Sequence, residues 1–254
     1  MSKRLEKYKT LLDKGTEQSM SGGGELFPHV YSTTDSRFQS FKIIAEHLFK
    51  KLEAGEKINI LELGTSRSFK DGAYEGCLVA DRKYWDPENY EEWDWGAGVF
   101  TVVLAQLLEE ANANPAMIDF CTIDSSQQAC YISSVMTENF EFVNVFHCTS
   151  EQALSGTVDR WDVIYMDTAD FGDEQHLINA VGPLHLSEAQ LIVETDILKA
   201  DGLILIDDVK NSSPSKVSML PAIAGLGKSF LSIPYLKEQG FKVTYEGYQF
   251  VMSR

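Results

Sequence analysis

Apolar residues keep two rhythms along this chain: a helical one, repeating about every 3.6 residues, and short unbroken runs. Phe38, Phe41, Ile44, Ala45, Leu48 and Phe49 recur three and four positions apart. They predict a helix from about Ser36 to Ala54, with Asp35 or Ser36 placed to cap its first-turn amides. A shorter amphipathic helix is predicted near Arg4 to Lys14, ahead of the flexible stretch Ser19-Met-Ser-Gly-Gly-Gly24. From Ile58 onward strands and helices alternate. Ile58 to Leu63 reads as a strand, Val99 to Glu110 as a helix (apolar at 99, 100, 103, 104, 107 and 108) and Met117 to Ile123 as a second strand, together a βαβ unit. Further strands are predicted at Phe142 to Phe146, Trp161 to Met166 and Leu203 to Ile206, with a helix over about Ser187 to Lys199 before the last of them. Continuous apolar runs suit strands covered on both faces, so the sheet is expected to be doubly wound and mostly parallel. After a helix ending near Gln239, Phe241 to Ser253 reads as two extended segments bent at Glu246-Gly247, a terminal antiparallel hairpin. The expected organisation is an N-terminal helical segment over 1–57 and one α/β domain over 58–254, which 254 residues can supply with a full core.

The stretch Thr65 to Trp95 breaks the pattern. It separates the first strand's glycine from its helix and is rich in aromatics and acids, including Tyr74, Tyr84, Trp85, Tyr90, Trp93 and Trp95. Removing it joins Leu61-Glu-Leu-Gly64 to Gly96-Ala-Gly98 and restores the length of an uninterrupted βαβ unit, so it reads as an insertion that splits a glycine loop. Two readings stand: a substrate lid or homodimer contact, and a passive flap. Charge narrows the partners. The 38 acidic against 22 basic side chains give a formal charge of -16, which disfavours a nucleic-acid substrate and an anionic membrane surface. No segment approaches the roughly 18 apolar residues of a membrane helix, so a soluble cytoplasmic protein is expected. Cys77, Cys121, Cys130 and Cys148 show no Cys-x-x-Cys pair and are read as buried reduced thiols.

The chemistry gathers at strand ends. Glu62 and Gly64 close the first strand and Asp124 the second; a glycine lets a nucleoside approach the backbone, and an acid there can accept from a ribose diol. The loop is poor in glycine and lysine, which favours a nucleoside without a pyrophosphate. Asp124 followed by Ser125 and Ser126 is equally readable as a helix cap. Asp167 ends the fourth strand, and Asp207 and Asp208 the fifth. If those strands are neighbours, three carboxylates converge as hard oxygen ligands for Mg²⁺ or another divalent ion, or else orient ligands and cap a turn without metal. His29, His47, His147 and His185 show no ligand spacing and are read as structural.

This ordered set resembles the class I S-adenosylmethionine-dependent methyltransferases, and most resembles their small-molecule O-methyltransferases, over about Ile58 to Val209. The resemblance implies a Rossmann-like, seven-stranded sheet whose last strand is antiparallel. It implies S-adenosylmethionine held by Glu62-Leu-Gly64 and its loop (Thr65 or Gly96), by Asp124 with Ser125 on the ribose, by Ser150 and Glu151 on the adenine side, and by Asp167. In the metal-dependent catechol and sugar types it also implies a metal on Asp167, Asp207 and Asp208 that holds a small-molecule hydroxyl acceptor and lowers its pKa. Catechol-type enzymes carry a lysine base three positions after the strand-four acid, where this chain has Asp170. Asp170, His176 and Lys210 are therefore the candidate bases. Two other classes compete: a nicotinamide-dependent oxidoreductase, against which the missing Gly-x-Gly-x-x-Gly speaks, and a non-catalytic nucleoside-binding protein on the same fold.

Overall fold

The computed structural model describes residues 37–66, 99–157, 159–169, 174–209 and 226–254. The predicted Arg4 to Lys14 helix, Gly96, Asp170, Lys210 and all of the inserted stretch beyond Ser66 lie outside these residues.

Helix α1, Phe38–Glu53, follows the predicted apolar stripe, and all six of its predicted core residues are buried. Gly55 ends it in a left-handed turn (φ 76°), with Gly55 N–H donating to the Leu52 carbonyl and Glu56 N–H to that of Lys51, a Schellman cap. The strands are β1 Ile58–Leu63, β2 Ile118–Asp124, β3 Val143–His147, β4 Trp161–Met166, β5 Leu198–Ile206, β6 Lys242–Glu246 and β7 Phe250–Ser253. They form one sheet in the order β3-β2-β1-β4-β5-β7-β6. The first five are parallel, and β7 runs antiparallel to both β5 and β6.

Alternation along the strands feeds two separate cores. Ile60, Val163, Tyr165, Leu203 and Leu205 pack with α1 and α2, Phe100–Glu110, on one face. Leu61, Ile164, Met166, Ile204 and Ile206 pack with α4, Ser150–Gly156, α5, Gly182–Glu194, and α6, Ser232–Glu238, on the other. Helix α3, Gln127–Met136, contributes Ile132 and Met136 to the first core. This is the doubly wound arrangement expected of the sequence.

Two boundaries are corrected. The helix expected over Ser187 to Lys199 runs instead from Gly182 to Glu194, preceded by π-helical Leu177–Val181. It stops because Asp196 adopts φ 52°, a left-handed turn that no helix continues through. Ile197 and Leu198 prolong the apolar rhythm, but they are buried as the lead-in and start of β5. Strand β5 also starts earlier than predicted: Leu198 pairs Trp161 and Leu203 pairs Val163, so the polar residues between them bulge out of the ladder. Among the described residues no helix is long and apolar enough to cross a membrane.

Candidate functional site

Order reverses between β1 and β4, so the carboxyl ends of these two strands flank a topological switch point, where open α/β sheets bind ligands. Gly64 sits there at φ 93°, and its N–H donates to the Ile123 carbonyl at 3.0 Å. A Cβ at this position would strike the Asp167 carbonyl oxygen; only glycine lets the two loops come this close.

Beneath Gly64 lies a chain of buried hydroxyls. Glu62, 2% exposed, accepts from Thr101 Oγ1 at the start of α2. Thr101 Oγ1 in turn accepts from the Ser66 N–H (3.2 Å), while Ser66 Oγ accepts from the Thr101 N–H (2.9 Å), serving the first-turn amide that Val99 cannot cap. Thr65 Oγ1 joins Thr122 Oγ1 and Ser133 Oγ, each at 2.7 Å. These bonds stitch the end of β1 to α2, β2 and α3. Burial pushes Glu62 up to about 8, with the Asp167 and Asp124 charges adding to the rise and the Thr101 and Thr122 hydroxyls opposing it. The carboxyl group of Glu62 and the hydroxyl of Thr65 are thus turned onto the chain's own groups.

Asp124 closes β2, the strand beside β1, and its Oδ1 accepts from the Ser126 N–H at 2.7 Å. Helix α3 is capped by Ser126, whose side chain accepts from the Ala129 N–H. Ser125 and Glu151 are exposed. Ser150 is buried and its hydroxyl meets Glu188, which also takes the Thr168 hydroxyl at 2.8 Å. Burial raises Glu188 to about 7, against those two hydroxyls and the Lys228 charge. Glu188 on α5 therefore ties the loop after β3 to the loop after β4.

The three carboxylates of Asp167, Asp207 and Asp208 do converge, each offering an oxygen within 4.8 Å of the others. They are not alone. Lys228 Nζ lies 3.1 Å from Asp167 Oδ1 and 2.8 Å from Asp208 Oδ2, and Arg37 spans Asp207 Oδ2 with Nε at 3.4 Å and Nη2 at 3.3 Å. The Arg37 guanidinium also lies over the Tyr248 ring, 4.7 Å from its centroid. Tyr248 donates to Asp208 Oδ1, and Gln249 Nε2 donates to Asp207 Oδ1 at 3.0 Å. Tyr165 Oη stands 2.9 Å from Asp207 Oδ2 and 3.2 Å from Asp167 Oδ2. A phenol has one hydrogen, so both contacts are bonds only when Asp167 brings a proton of its own. Burial and the Asp207 charge push Asp167 up, consistent with that; at Asp207 burial acts the same way but is outweighed by Arg37, Lys228 and hydrogen bonds, and its pKa falls. Burial pulls Lys228 down, and the surrounding carboxylates overcome it and hold the ammonium charged.

His185 anchors this arrangement from behind. Fully buried, it donates from Nε2 to the Thr168 carbonyl (3.0 Å) and accepts at Nδ1 from the Ser229 hydroxyl (3.0 Å), the tautomer those partners require. Burial and the Lys228 charge depress it to about 4, so it stays neutral. His176 is exposed on the helical turn Glu174–His176.

As a metal centre the donors have the right hardness, but the place between Asp167 and Asp208 is held by an ammonium group. With Lys228 there the set does not fit a divalent ion. Arg37, Lys228, Tyr248 and Gln249 were not identified from the sequence, since none stands at a motif spacing from the acids it meets; Arg37 lies 170 positions from Asp207. For Thr101 a hydroxyl in the first turn of a helix was the available signal.

No family model matches the chain, and no curated protein matches it. Similar solved structures include a methyltransferase of Podospora anserina bound to S-adenosylhomocysteine, at 15% identity and TM-score 0.47, covering 98% of this chain and 93% of that one. The O-methyltransferase of Bacillus cereus in complex with S-adenosylhomocysteine is similar at 15% identity and TM-score 0.44, covering 99% and 90%. Aeropyrum pernix fibrillarin with natively bound S-adenosyl-L-methionine is similar at 10% identity and TM-score 0.44, covering 78% and 66%. At that distance nothing about substrate or mechanism transfers.

Proposed function

We propose that this chain transfers a methyl group from S-adenosylmethionine to a hydroxyl of a small molecule. The observation that carries the reading is the switch-point crevice. Gly64 lets the loops after β1 and β4 meet at the switch point, Asp124 stands at the end of the adjoining β2, and an antiparallel β7 is inserted between β5 and the edge strand β6. Dinucleotide-binding sheets run β3-β2-β1-β4-β5-β6 and cradle a pyrophosphate on glycines. Here Asp124, Asp207 and Asp208 gather near the crevice against Arg37 and Lys228, while burial pushes Glu62 and Asp167 toward their protonated forms; three acids to two cations leave a balance that favours a cationic ligand over an anionic one.

Bound S-adenosylmethionine supplies an activated methyl group on a sulfonium. Asp124, with Ser125, is the group for the ribose diol, and Ser150 and Glu151 stand on the adenine side of the same edge. Gly64 and Thr65 shape the floor under the methionine part. Glu62, through Thr101 and Ser66, fixes that floor rather than touching the ligand. Asp167, Asp207 and Asp208, locked by Arg37 and Lys228, form the acceptor end. The acceptor's proton falls to Asp170, His176 or Lys210, which the chain carries on the segments following β4 and β5. Catalysis then consists of alignment, deprotonation and exclusion of water.

Calorimetric titration of S-adenosylhomocysteine tests the reading. Stoichiometric binding, weakened roughly tenfold or more in Asp124→Asn for the loss of a charge-assisted diol contact, is expected. Absence of binding by a folded protein, or binding of a nicotinamide dinucleotide in its place, would overturn it. Methyl transfer to a panel of hydroxyl acceptors then separates an enzyme from a nucleoside-binding protein on the same fold.

A further inference from the structure

We infer that Lys228 is the resident cation of the Asp167, Asp207 and Asp208 cluster, taking the place of a divalent ion, and that the protein works without metal. The inference deepens the proposed function at its acceptor end but rests on the cluster's own geometry. Every carboxylate oxygen has a partner within the chain. Asp167 Oδ1 meets Lys228 and Oδ2 meets Tyr165; Asp207 Oδ1 meets Gln249, and Oδ2 meets Arg37 and Tyr165; Asp208 Oδ1 meets Tyr248 and Oδ2 meets Lys228. A hard dication needs such oxygens free, together with room for several waters. To enter, it would have to displace an ammonium that is 3% exposed, or stand against it at contact distance with like charge.

The fold builds Lys228 into this position. It lies in the 3-10 turn Gly227–Ser229, where Gly227 takes φ 47° and lies so close to the Asp208 carbonyl that a Cβ would overlap it. On its other side, Ser229 is held by His185, which also holds the Thr168 carbonyl next to Asp167. Asp208 itself adopts φ 52°, a left-handed conformation that aspartate tolerates better than most residues. Both acids and the lysine between them are therefore fixed by backbone, not merely by the attraction of long side chains. A single ammonium gives one point of positive charge and no chelating geometry, so this end offers no bidentate grip on a vicinal pair of oxygens.

Mn²⁺ is the probe, followed by electron paramagnetic resonance and by thermal shift, on the full chain without S-adenosylmethionine or acceptor. The wild-type protein is expected to bind no stoichiometric Mn²⁺ at this cluster and to keep its S-adenosylhomocysteine affinity after chelation. Lys228→Ala vacates the cation position and is expected to bind one Mn²⁺ roughly 100-fold or more tighter than wild type, the scale of one charge at contact distance in a protein site. Added Asp208→Asn should abolish that binding. One tightly bound Mn²⁺ in the wild type that Asp207→Asn or Asp208→Asn removes would overturn the inference, as would a folded Lys228→Ala protein that binds none. If Lys228→Ala does not fold, the wild-type titration decides alone, and Lys228→Met, which keeps the stem, reports the charge through its Mn²⁺-dependent melting. Because no methyl donor is present, failure here leaves methyl transfer standing, and failure of S-adenosylhomocysteine to bind leaves the Mn²⁺ result interpretable.

Discussion

Gly64→Ala perturbs the switch point at one atom, and Gly55→Ala provides its internal control. Both glycines take left-handed φ, 93° and 76°, so each substitution incurs the conformational term of about 1–2 kcal/mol that an L side chain meets there. At Gly55 a Cβ meets nothing within 4 Å, and that term is the whole effect. At Gly64 the Cβ would overlap the Asp167 carbonyl oxygen and crowd its carbon, at 2.9 Å, and the Thr168 nitrogen, at 3.3 Å. These are backbone atoms of a strand end held by the Asp167 N–H bond to the Leu63 carbonyl (2.9 Å), so they cannot swing aside as a side-chain tip would. Forcing such an overlap costs about 1–3 kcal/mol more. Gly64→Ala is thus expected to lose about 2–5 kcal/mol and Gly55→Ala about 1–2, within reach of a domain stable by about 5–15 kcal/mol. Urea denaturation of both variants and wild type measures the difference, and calorimetry measures the accompanying loss of S-adenosylhomocysteine affinity, expected for Gly64→Ala alone. Equal stability of the two variants within about 0.5 kcal/mol would refute the close approach of the β1 and β4 loops.

Glu62 sets a pH dependence. Its folded pKa of about 8 lies above the ordinary 4.5, so the native state holds a proton that the unfolded chain has released, and stability falls as pH rises through that window. Between pH 6.5 and 8.0 wild type is expected to lose about 1–2 kcal/mol relative to Glu62→Gln in paired urea titrations, a pairing that cancels the titrations of His185 and Glu188 common to both proteins; parallel profiles would rule out a protonated Glu62. At the opposite edge, Asp162 is fully buried between Lys51 (2.9 Å) and Lys199 (2.6 Å) and accepts the Asn59 N–H. Asp162→Asn is expected to destabilise by about 3–5 kcal/mol with S-adenosylhomocysteine affinity unchanged, and a matching loss of affinity would show that the ligand lies elsewhere.

Local pattern determined the frame. The stripe from Phe38 to Phe49 makes α1, and the mostly apolar runs Ile58 to Leu63 and Trp161 to Met166 make two strands buried on both faces, because periodicity of burial is a property of neighbours along the chain. The acids at strand ends were legible for the same reason, since a parallel sheet carries all its carboxyl ends to one edge. What those acids meet was decided by tertiary structure alone. Arg37 arrives at the N-terminus of α1, Lys228 from a turn anchored by Gly227 and His185, and Tyr248 and Gln249 from the hairpin that places β7 against β5. Nor could the segment Lys199-Ala200-Asp201-Gly202, with two charges and a glycine, announce a strand, being tolerated only because it bulges away from β4 and lets Asp201 pair with Lys51. Hydrophobic burial is written residue by residue, whereas a buried charge is stable only beside its counter-charge, and which counter-charge that is depends on loops and crossovers that bring together residues far apart in the sequence.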